Sequence, residues 1–253
     1  MTQFNDHFSA LAAQYAQSRP GYPPALFDYL ASLCAERHCC WDCACGSGQA
    51  TTALAAHFES VIGMDASAQQ LAAAEPHARV EYRVASAEAS GLPSGSVDLV
   101  TVAQALHWFR IDEFYTEAHR VLKPGGVLAA WSYGIQHVVD DSRIDEAVQH
   151  FYGEVVGPFW PPERRIVESG YRDLPFPFEE LAPPAVVMRE RWPMDRLLGY
   201  FRSWSATGRY VKAHGLDPVV ALGEQIAPLW GDPLTPRLVE WPVAMRVGRS
   251  ERR

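Results

Sequence analysis

The fold is decided by the stretch DCACGSG, residues 42–48, where a strand-like run at 39–45 meets a helical pattern at 49–58. Glycine at positions 46 and 48 lets the backbone adopt positive φ angles and leaves room for a ligand close to the main chain. The helix that follows presents unpaired N–H groups and a partial positive charge to an anionic group. The same Gly-x-Gly pattern also occurs in ordinary tight turns, so its meaning depends on the segments around it.

Strand-like and helical segments alternate downstream of this turn as far as residue 131. The predicted strands are 39–45, 60–64, 80–84, 97–102 and 127–131, and the predicted helices are 49–58, 68–74 and 112–122. Alternation at this spacing predicts an α/β fold with a parallel sheet and helices on both faces.

The second half of the chain has a different composition, with 13 of the 19 prolines and five of the eight tryptophans after residue 131. Two β-type runs, 185–191 and 238–247, flank a helical region. We interpret them as the sixth and seventh strands of the same sheet. The prediction is a Rossmann-like, mostly parallel, seven-stranded sheet with helical insertions at about 140–184 and 195–235.

Charge and hydropathy exclude several classes of partner. The chain has 30 acidic against 22 basic residues and a formal net charge of −8, which disfavours binding to nucleic acid or anionic lipid. No apolar run approaches the length of a membrane span, and the first residues lack a secretory signal. We therefore expect a soluble, cytoplasmic protein without a membrane or nucleic-acid partner, and the oligomeric state is left open.

All five cysteines lie between residues 34 and 45, at positions 34, 39, 40, 43 and 45. An odd number in one short segment argues against a disulfide framework. Four of them superficially resemble a zinc site, but alternate residues of a strand point to opposite faces and do not converge on one ion. We expect small buried side chains and no metal.

A second nucleotide-binding signal is Asp65, which lies 17 residues after Gly48 at the end of the second predicted strand. A carboxylate there can accept hydrogen bonds from both hydroxyls of an adenosine ribose. It can equally begin the helix that follows as its N-cap, and both roles are compatible. A dinucleotide fingerprint would need a small residue at Thr51, so NAD and FAD are disfavoured.

Several motifs, in order, resemble those of class I S-adenosylmethionine-dependent methyltransferases. Residues 42–48 resemble motif I and residues 61–67 resemble motif II. Residues 87–88 with 91–93 resemble motif III, residues 97–102 the strand after it, and residues 122–126 the turn before strand five. Residues 8–23, 104–109 and 203–205 are similar to the type 11 methyltransferases that include trans-aconitate methyltransferase-like proteins.

This resemblance implies one methyltransferase domain over residues 1–253. It would consist of an N-terminal helical lid (1–35), a cofactor-binding core (36–132) and a segment that completes the sheet and caps the substrate (133–253). S-adenosylmethionine is the implied cofactor. The cofactor-binding residues implied by the resemblance are Tyr15 and Arg19 of the lid, Asp42, Ala44, Gly46, Gly48, Asp65, Ala66, Ala87, Glu88 and Gln104.

Two of these positions carry a specific structural expectation. Ala44 stands where the family usually has a glycine, so we expect a negative φ at this residue. At Gly48, we expect an added side chain to project into the path of the cofactor.

The methyl group of a sulfonium is already activated, so alignment of the acceptor supplies most of the rate. His107, just past the fourth predicted strand, is the candidate general base for a hydroxyl or amine acceptor. The alternative is a histidine that only packs against Trp108 at the pocket wall. Trp108, Tyr200 and Trp204 are candidates to cover the substrate, or they belong to the apolar core of the insertion.

The acceptor class remains open at this point, between a small carboxylate and a small hydroxyl or amine compound that needs His107. A carboxylate is suggested by the trans-aconitate resemblance. The arginines able to bind one are Arg189, Arg191, Arg196, Arg202 and Arg209. A third interpretation is a cofactor-binding module without activity.

Overall fold

The computed structural model describes residues 20–251, so Tyr15 and Arg19 of the predicted lid lie outside the described residues. The strands are Cys39–Cys43 (β1), Ser60–Asp65 (β2), Val80–Val84 (β3), Val97–Ala103 (β4), Leu122–Tyr133 (β5), His137–Val138 (β6), Glu179–Leu181 (β7), Val186–Trp192 (β8) and Arg237–Arg249 (β9). The α-helices are Pro24–Leu33 (α1), Gln49–Leu54 (α2), Ala68–Ala72 (α3), Ile111–Val121 (α4), Ser142–His150 (α5), Arg164–Glu168 (α6), Met194–Arg202 (α7), Ser205–His214 (α8) and Pro218–Trp230 (α9).

One sheet contains all of these strands. Its order is β3-β2-β1-β4-β5-β9-β6, and β7 and β8 also pair with β9. Strands β1 to β5 are parallel, whereas β9 runs antiparallel to β5. The Rossmann-like, mostly parallel sheet is confirmed. The strand count is nine where we expected seven, because β6 and β7 are too short to carry a periodic signal.

The fifth strand is longer than the sequence predicts. Residues 123–126, expected to form a turn, are included in β5. The pairing of β5 with β4 shifts at this point, since Val97 is opposite Leu122 while Leu99 is opposite Val127. The extra residues therefore form an irregularity within the strand instead of the separate turn that the Pro-Gly-Gly sequence predicts.

The ends of two helices show the local causes of their boundaries. In α4, Asp112 and Glu113 lie in the first turn and His119 and Arg120 in the last, which suits the helix dipole. In α9, the Asp217 carboxylate accepts a hydrogen bond from the N–H of Val219, and Pro218 occupies the first helical position.

Alternate residues of β1 face opposite sides of the sheet, as expected. Trp41 and Cys43 belong to a cluster with Phe114, whereas Cys40 packs in the cluster that contains Leu30. Burial raises the pKa of the Cys40 and Cys43 thiols well above the usual value. These two thiols therefore behave as small core groups and not as reactive nucleophiles.

The second half of the chain builds a separate apolar cluster on the sheet. It includes Ile144 of α5, Phe201 of α7, Ile226 of α9 and the strand residues Trp192 and Trp241. This cluster holds α5 and α7 to α9 against β8 and β9, next to the carboxyl ends of β4 and β5. Between residues 20 and 251, no helix is long and apolar enough to cross a membrane.

Candidate active site

The glycine turn after β1 has three residues in the left-handed region. Their φ angles are +53° at Ala44, +57° at Gly46 and +85° at Gly48. The N–H of Cys45 donates to the carbonyl of Met64 at 2.9 Å, which fastens the turn to the end of β2. The expectation of a negative φ at Ala44 was therefore wrong, because the path of the turn between β1 and α2 imposes a left-handed conformation on this alanine.

This strain gives a testable prediction. Ala44→Gly should raise the free energy of unfolding by about 1 kcal/mol, because glycine adopts a positive φ without a Cβ clash. Ala221→Gly, at an exposed position of helix α9, is the matched control and should lower it by about 1 kcal/mol. Urea unfolding of both variants measures the difference. A loss of stability in both would contradict a strained Ala44.

Gly48 is required for a reason that the sequence did not indicate. A Cβ at this position would lie 3.1 Å from Cζ of Tyr82 and closer still to its hydroxyl. The same ring lies 2.9 Å from where a Cβ of Gly63 would be, so it fills the gap between two glycines. A side chain at Gly48 would therefore collide with Tyr82 of β3. The expectation that it would also enter the cofactor's path stays a prediction.

Asp65 at the end of β2 holds the turn. Its Oδ2 accepts from the N–H of Gly46 at 2.9 Å, and its Oδ1 accepts from the N–H of Ser67 at 2.8 Å. The carboxylate therefore both orders the glycine turn and stabilises the entry to α3, where the Ser67 hydroxyl is the N-cap. Ala66 lies between them and is exposed.

Asp42 lies beneath the turn and is fully buried. The hydroxyls of Thr51 and Thr101 donate to its two carboxylate oxygens at 2.6 and 2.7 Å. Burial, partly offset by these two bonds, raises the pKa of Asp42 to about 6. In the structure, this carboxylate connects β1 to α2 and β4 through hydrogen bonds. A direct contact of Asp42 with the cofactor stays a prediction.

The remaining predicted cofactor residues lie at the same edge of the sheet. Ala87 follows β3 and is nearly buried. The Glu88 carboxylate accepts from the N–H of Arg110 at 3.1 Å and lies 3.6 Å from its guanidinium. Because β3, β2, β1 and β4 are neighbours, the structure brings these residues together with the turn and with Gln104, which follows β4.

A cavity of about 380 Å³ opens beside Gln104, under the helices of the second half. Besides Gln104, it is lined by the candidate base His107 and by the three aromatic candidates Trp108, Tyr200 and Trp204. Tyr200 and Trp204 are also members of the apolar cluster of the insertion, so both interpretations of these two residues hold. Trp108 is 44% exposed and forms part of the rim.

His107 forms part of the cavity wall. Its ring centroid lies 4.6 Å from that of Trp108, and its Nδ1 lies 3.4 Å from the hydroxyl of the buried Tyr171. Gln104 has a φ of +57° and donates from Nε2 to the carbonyl of Tyr133 at 3.3 Å, which links the ends of β4 and β5. His107 therefore packs against Trp108, and its role as a base stays a prediction.

Only two of the five candidate arginines line the cavity, namely Arg202 and Arg209. The other three lie outside it in surface ion pairs: Arg189 with Glu240, Arg191 with Asp140 and Arg196 with Glu190. Sequence reasoning missed several polar residues of the wall, among them Gln136, Trp160, Glu163, Arg164 and Lys212. Nothing local marks them as a group, because they come from three separate segments.

The comparisons with known proteins agree with this geometry. Residues 41–130 match a family described as a methyltransferase domain. A protein from Dictyostelium discoideum named as a methyltransferase is 37% identical, over 89% of this chain and 86% of its own. A solved structure from Anaeromyxobacter dehalogenans, described as a type II methyltransferase, is 46% identical with a TM-score of 0.88, covering 93% of this chain and 99% of the other.

This chain is a class I S-adenosylmethionine-dependent methyltransferase. The methyltransferase is therefore an enzyme, and the interpretation as a silent module is set aside. The trans-aconitate-like subgroup stays a prediction, since these matches carry no information about the acceptor.

The residues of the turn fit S-adenosylmethionine. A Cβ at Gly46 would meet only Gln70 Oε1, at 3.9 Å, so this face of the turn is open to a ligand. A carboxylate oxygen accepts more than one hydrogen bond, so the Asp65 carboxylate that holds the Gly46 N–H suits a ribose hydroxyl as well. When bound, S-adenosylmethionine supplies an activated methyl group, and the protein supplies position and electrostatics.

Proposed function

We propose that this methyltransferase transfers the methyl group to a carboxylate of a small molecule held in the cavity. The observation that supports the proposal is the charge of the cavity wall. Four cationic side chains line it, Arg164, Arg202, Arg209 and Lys212, against a single carboxylate, Glu163. The chain as a whole carries a net charge of −8, so this local excess of positive charge runs against its composition.

Two of these cations have no acidic partner within the described residues 20–251. Arg202 is paired with Asp217 at 2.7 Å, and Arg164 lies 3.7 Å from Glu168 and 4.7 Å from the Trp160 ring. Within residues 20–251, no carboxylate lies within 4 Å of Arg209 or Lys212. Both are exposed on helix α8, where they can bind an incoming anion with little rearrangement.

The size of the cavity supports a small acceptor. About 380 Å³ lies within the range of ordinary small-molecule pockets. A carboxylate is already a nucleophile at neutral pH, so it requires alignment with the methyl group and no general base. The aromatic wall of Trp108, Tyr200 and Trp204 excludes water and holds the carbon skeleton.

Neutralising the two unpaired cations tests this proposal. Arg209→Gln with Lys212→Gln should raise the KM for a carboxylate acceptor about tenfold, because two charge-assisted contacts at an exposed site are lost. The measurement is release of S-adenosylhomocysteine with a panel of small carboxylic acids, phenols and amines. Arg191→Gln, which removes a surface cation outside the cavity, is the control and should leave KM unchanged. Turnover of phenols or amines alone would refute the proposal that the acceptor is a carboxylate.

His107 separates the carboxylate from the rival acceptors, a hydroxyl or an amine. His107→Ala should retain most of the turnover with a carboxylate, since no proton has to be removed from it. With a hydroxyl or amine acceptor the rate should fall about 100-fold or more, because general base catalysis is lost. His119→Ala is the control, as His119 contacts the Pro177 carbonyl and Phe178 away from the cavity. Initial rates at saturating cofactor distinguish the two outcomes.

A further inference from the structure

Gln136 is the least expected residue of the cavity wall. The residue lines the cavity, its side chain is fully buried, and neither Oε1 nor Nε2 has a hydrogen-bond partner. A buried carboxamide offers two donors and an acceptor, and to leave all of them unpaired costs free energy. Such a group calls for a partner from outside the protein.

The backbone of Gln136 is held in place at its own carbonyl and at the next residue. Its carbonyl accepts from Nε2 of Gln149 at 2.9 Å. The next residue, His137, belongs to β6 and is opposite Glu240 of β9. Because the main chain is anchored, the carboxamide remains at the cavity wall.

A second unpaired polar group lies in the same wall. The indole N–H of Trp160 is buried and without an acceptor, and its ring packs against Trp204 with centroids 5.5 Å apart. Several buried polar side-chain atoms between residues 20 and 251 have no hydrogen-bond partner. Among them, only the atoms of Gln136 and Trp160 belong to residues that line the cavity. Gln136 and Trp160 therefore line the same cavity as the cationic side chains.

We propose that Gln136 and Trp160 form a subsite that binds a neutral group of the acceptor able to donate and accept hydrogen bonds, a hydroxyl or a carboxamide. The Gln136 oxygen requires a donor, which excludes a carboxylate as its partner. The side-chain NH2 of Gln136 and the indole N–H of Trp160 each require an acceptor. The inference rests on the proposed function, because it assumes that this cavity holds the acceptor. The acceptor would then carry a carboxylate and, separately, this neutral polar group.

Stability measurements test whether the carboxamide is unpaired in the free enzyme. Gln136→Met keeps the length of the side chain and removes its polar atoms, so the Tm should rise by about 2–4 °C. Gln149→Met is the matched control, since its Nε2 donates to the Gln136 carbonyl and to Asp145. Its Tm should fall. A lower Tm for Gln136→Met would mean that protein or structural water satisfies the amide, and would overturn the proposal.

Binding measurements test the ligand class. The enzyme saturated with S-adenosylhomocysteine is titrated by calorimetry with matched carboxylates: malate and succinate, 4-hydroxybenzoate and benzoate, 4-carbamoylbenzoate and 4-isopropylbenzoate. In at least one pair, the member with the hydroxyl or carboxamide should bind about tenfold more tightly. Gln136→Met should abolish this preference, and Trp160→Phe should reduce it. Equal affinity within every pair, or no binding of any member, would overturn the proposal.

The two arms also separate this inference from the carboxylate proposal. If the acceptor is not a carboxylate, release of S-adenosylhomocysteine will fail with every acid of the panel. The Tm shift of Gln136→Met does not depend on that result. A raised Tm together with inactive carboxylates would therefore refute the proposed function and support the unpaired amide. A lowered Tm together with active carboxylates would support the proposed function and refute the unpaired amide.

Discussion

Gly48→Val should abolish measurable binding of S-adenosylhomocysteine, an effect of at least ~100-fold in affinity, while the sheet remains folded. Valine at a φ of +85° is strained, and its Cβ would meet the Tyr82 ring. Since the ring is confined between Gly48 and Gly63, the turn has to move instead. Calorimetric titration measures the loss, and circular dichroism checks the fold.

Gly95→Val is the matched control for backbone strain. Gly95 also has a positive φ, +62°, but no atom lies within 4 Å of its Cβ position. It belongs to the turn before β4, at the opposite edge of the sheet from the glycine turn. This variant should lose about 1 kcal/mol of stability and keep its affinity for the cofactor product.

A double variant identifies the atom responsible for the loss. Tyr82→Phe removes the hydroxyl that lies nearest to the Cβ position of Gly48. Adding it to Gly48→Ala should restore part of the affinity that Gly48→Ala loses. If the added methyl group obstructed the cofactor directly, Tyr82→Phe would restore nothing.

Asp65→Ala should weaken binding of S-adenosylhomocysteine about 100-fold. The substitution removes the acceptor of the Gly46 N–H, so the turn loses one of its hydrogen bonds to β2. The bond from the Cys45 N–H to the Met64 carbonyl remains. The substitution also removes the charged acceptor predicted for the ribose hydroxyls, and each lost charge-assisted bond is worth roughly 1.5–3 kcal/mol. The same calorimetric titration gives the affinity.

The control for Asp65→Ala has to remove a similar backbone contact elsewhere. Asp232→Ala does so, because the Asp232 carboxylate accepts from the N–H of Leu234, two residues on, just as Asp65 accepts from that of Ser67. It should leave cofactor affinity unchanged. Loss of affinity in Asp232→Ala, or its retention in Asp65→Ala, would show that Asp65 is not part of the binding site.

The sequence determined the cofactor half of this enzyme. Each element of that half has a local signal: the apolar run of β1, the glycines at 46 and 48, and the carboxylate Asp65 at the end of β2. Parallel pairing of β1 to β5 then follows from the β/α alternation, and it places the ends of neighbouring strands at one edge. Local periodicity and chain topology were sufficient there.

Tertiary structure alone decided the composition of the cavity wall and the reasons for individual residues. The φ of Ala44 and the contact of Gly48 with Tyr82 arise between strands, and no local pattern encodes them. The cavity wall combines residues that follow β4, the end of β5, the β5–β6 connection and two separate insertions. Gln136 and Lys212 are 76 positions apart in the sequence, yet they line one space. Periodicity predicts which face of an element is buried, but not which distant segment covers it, because that depends on how the insertions pack on the completed sheet.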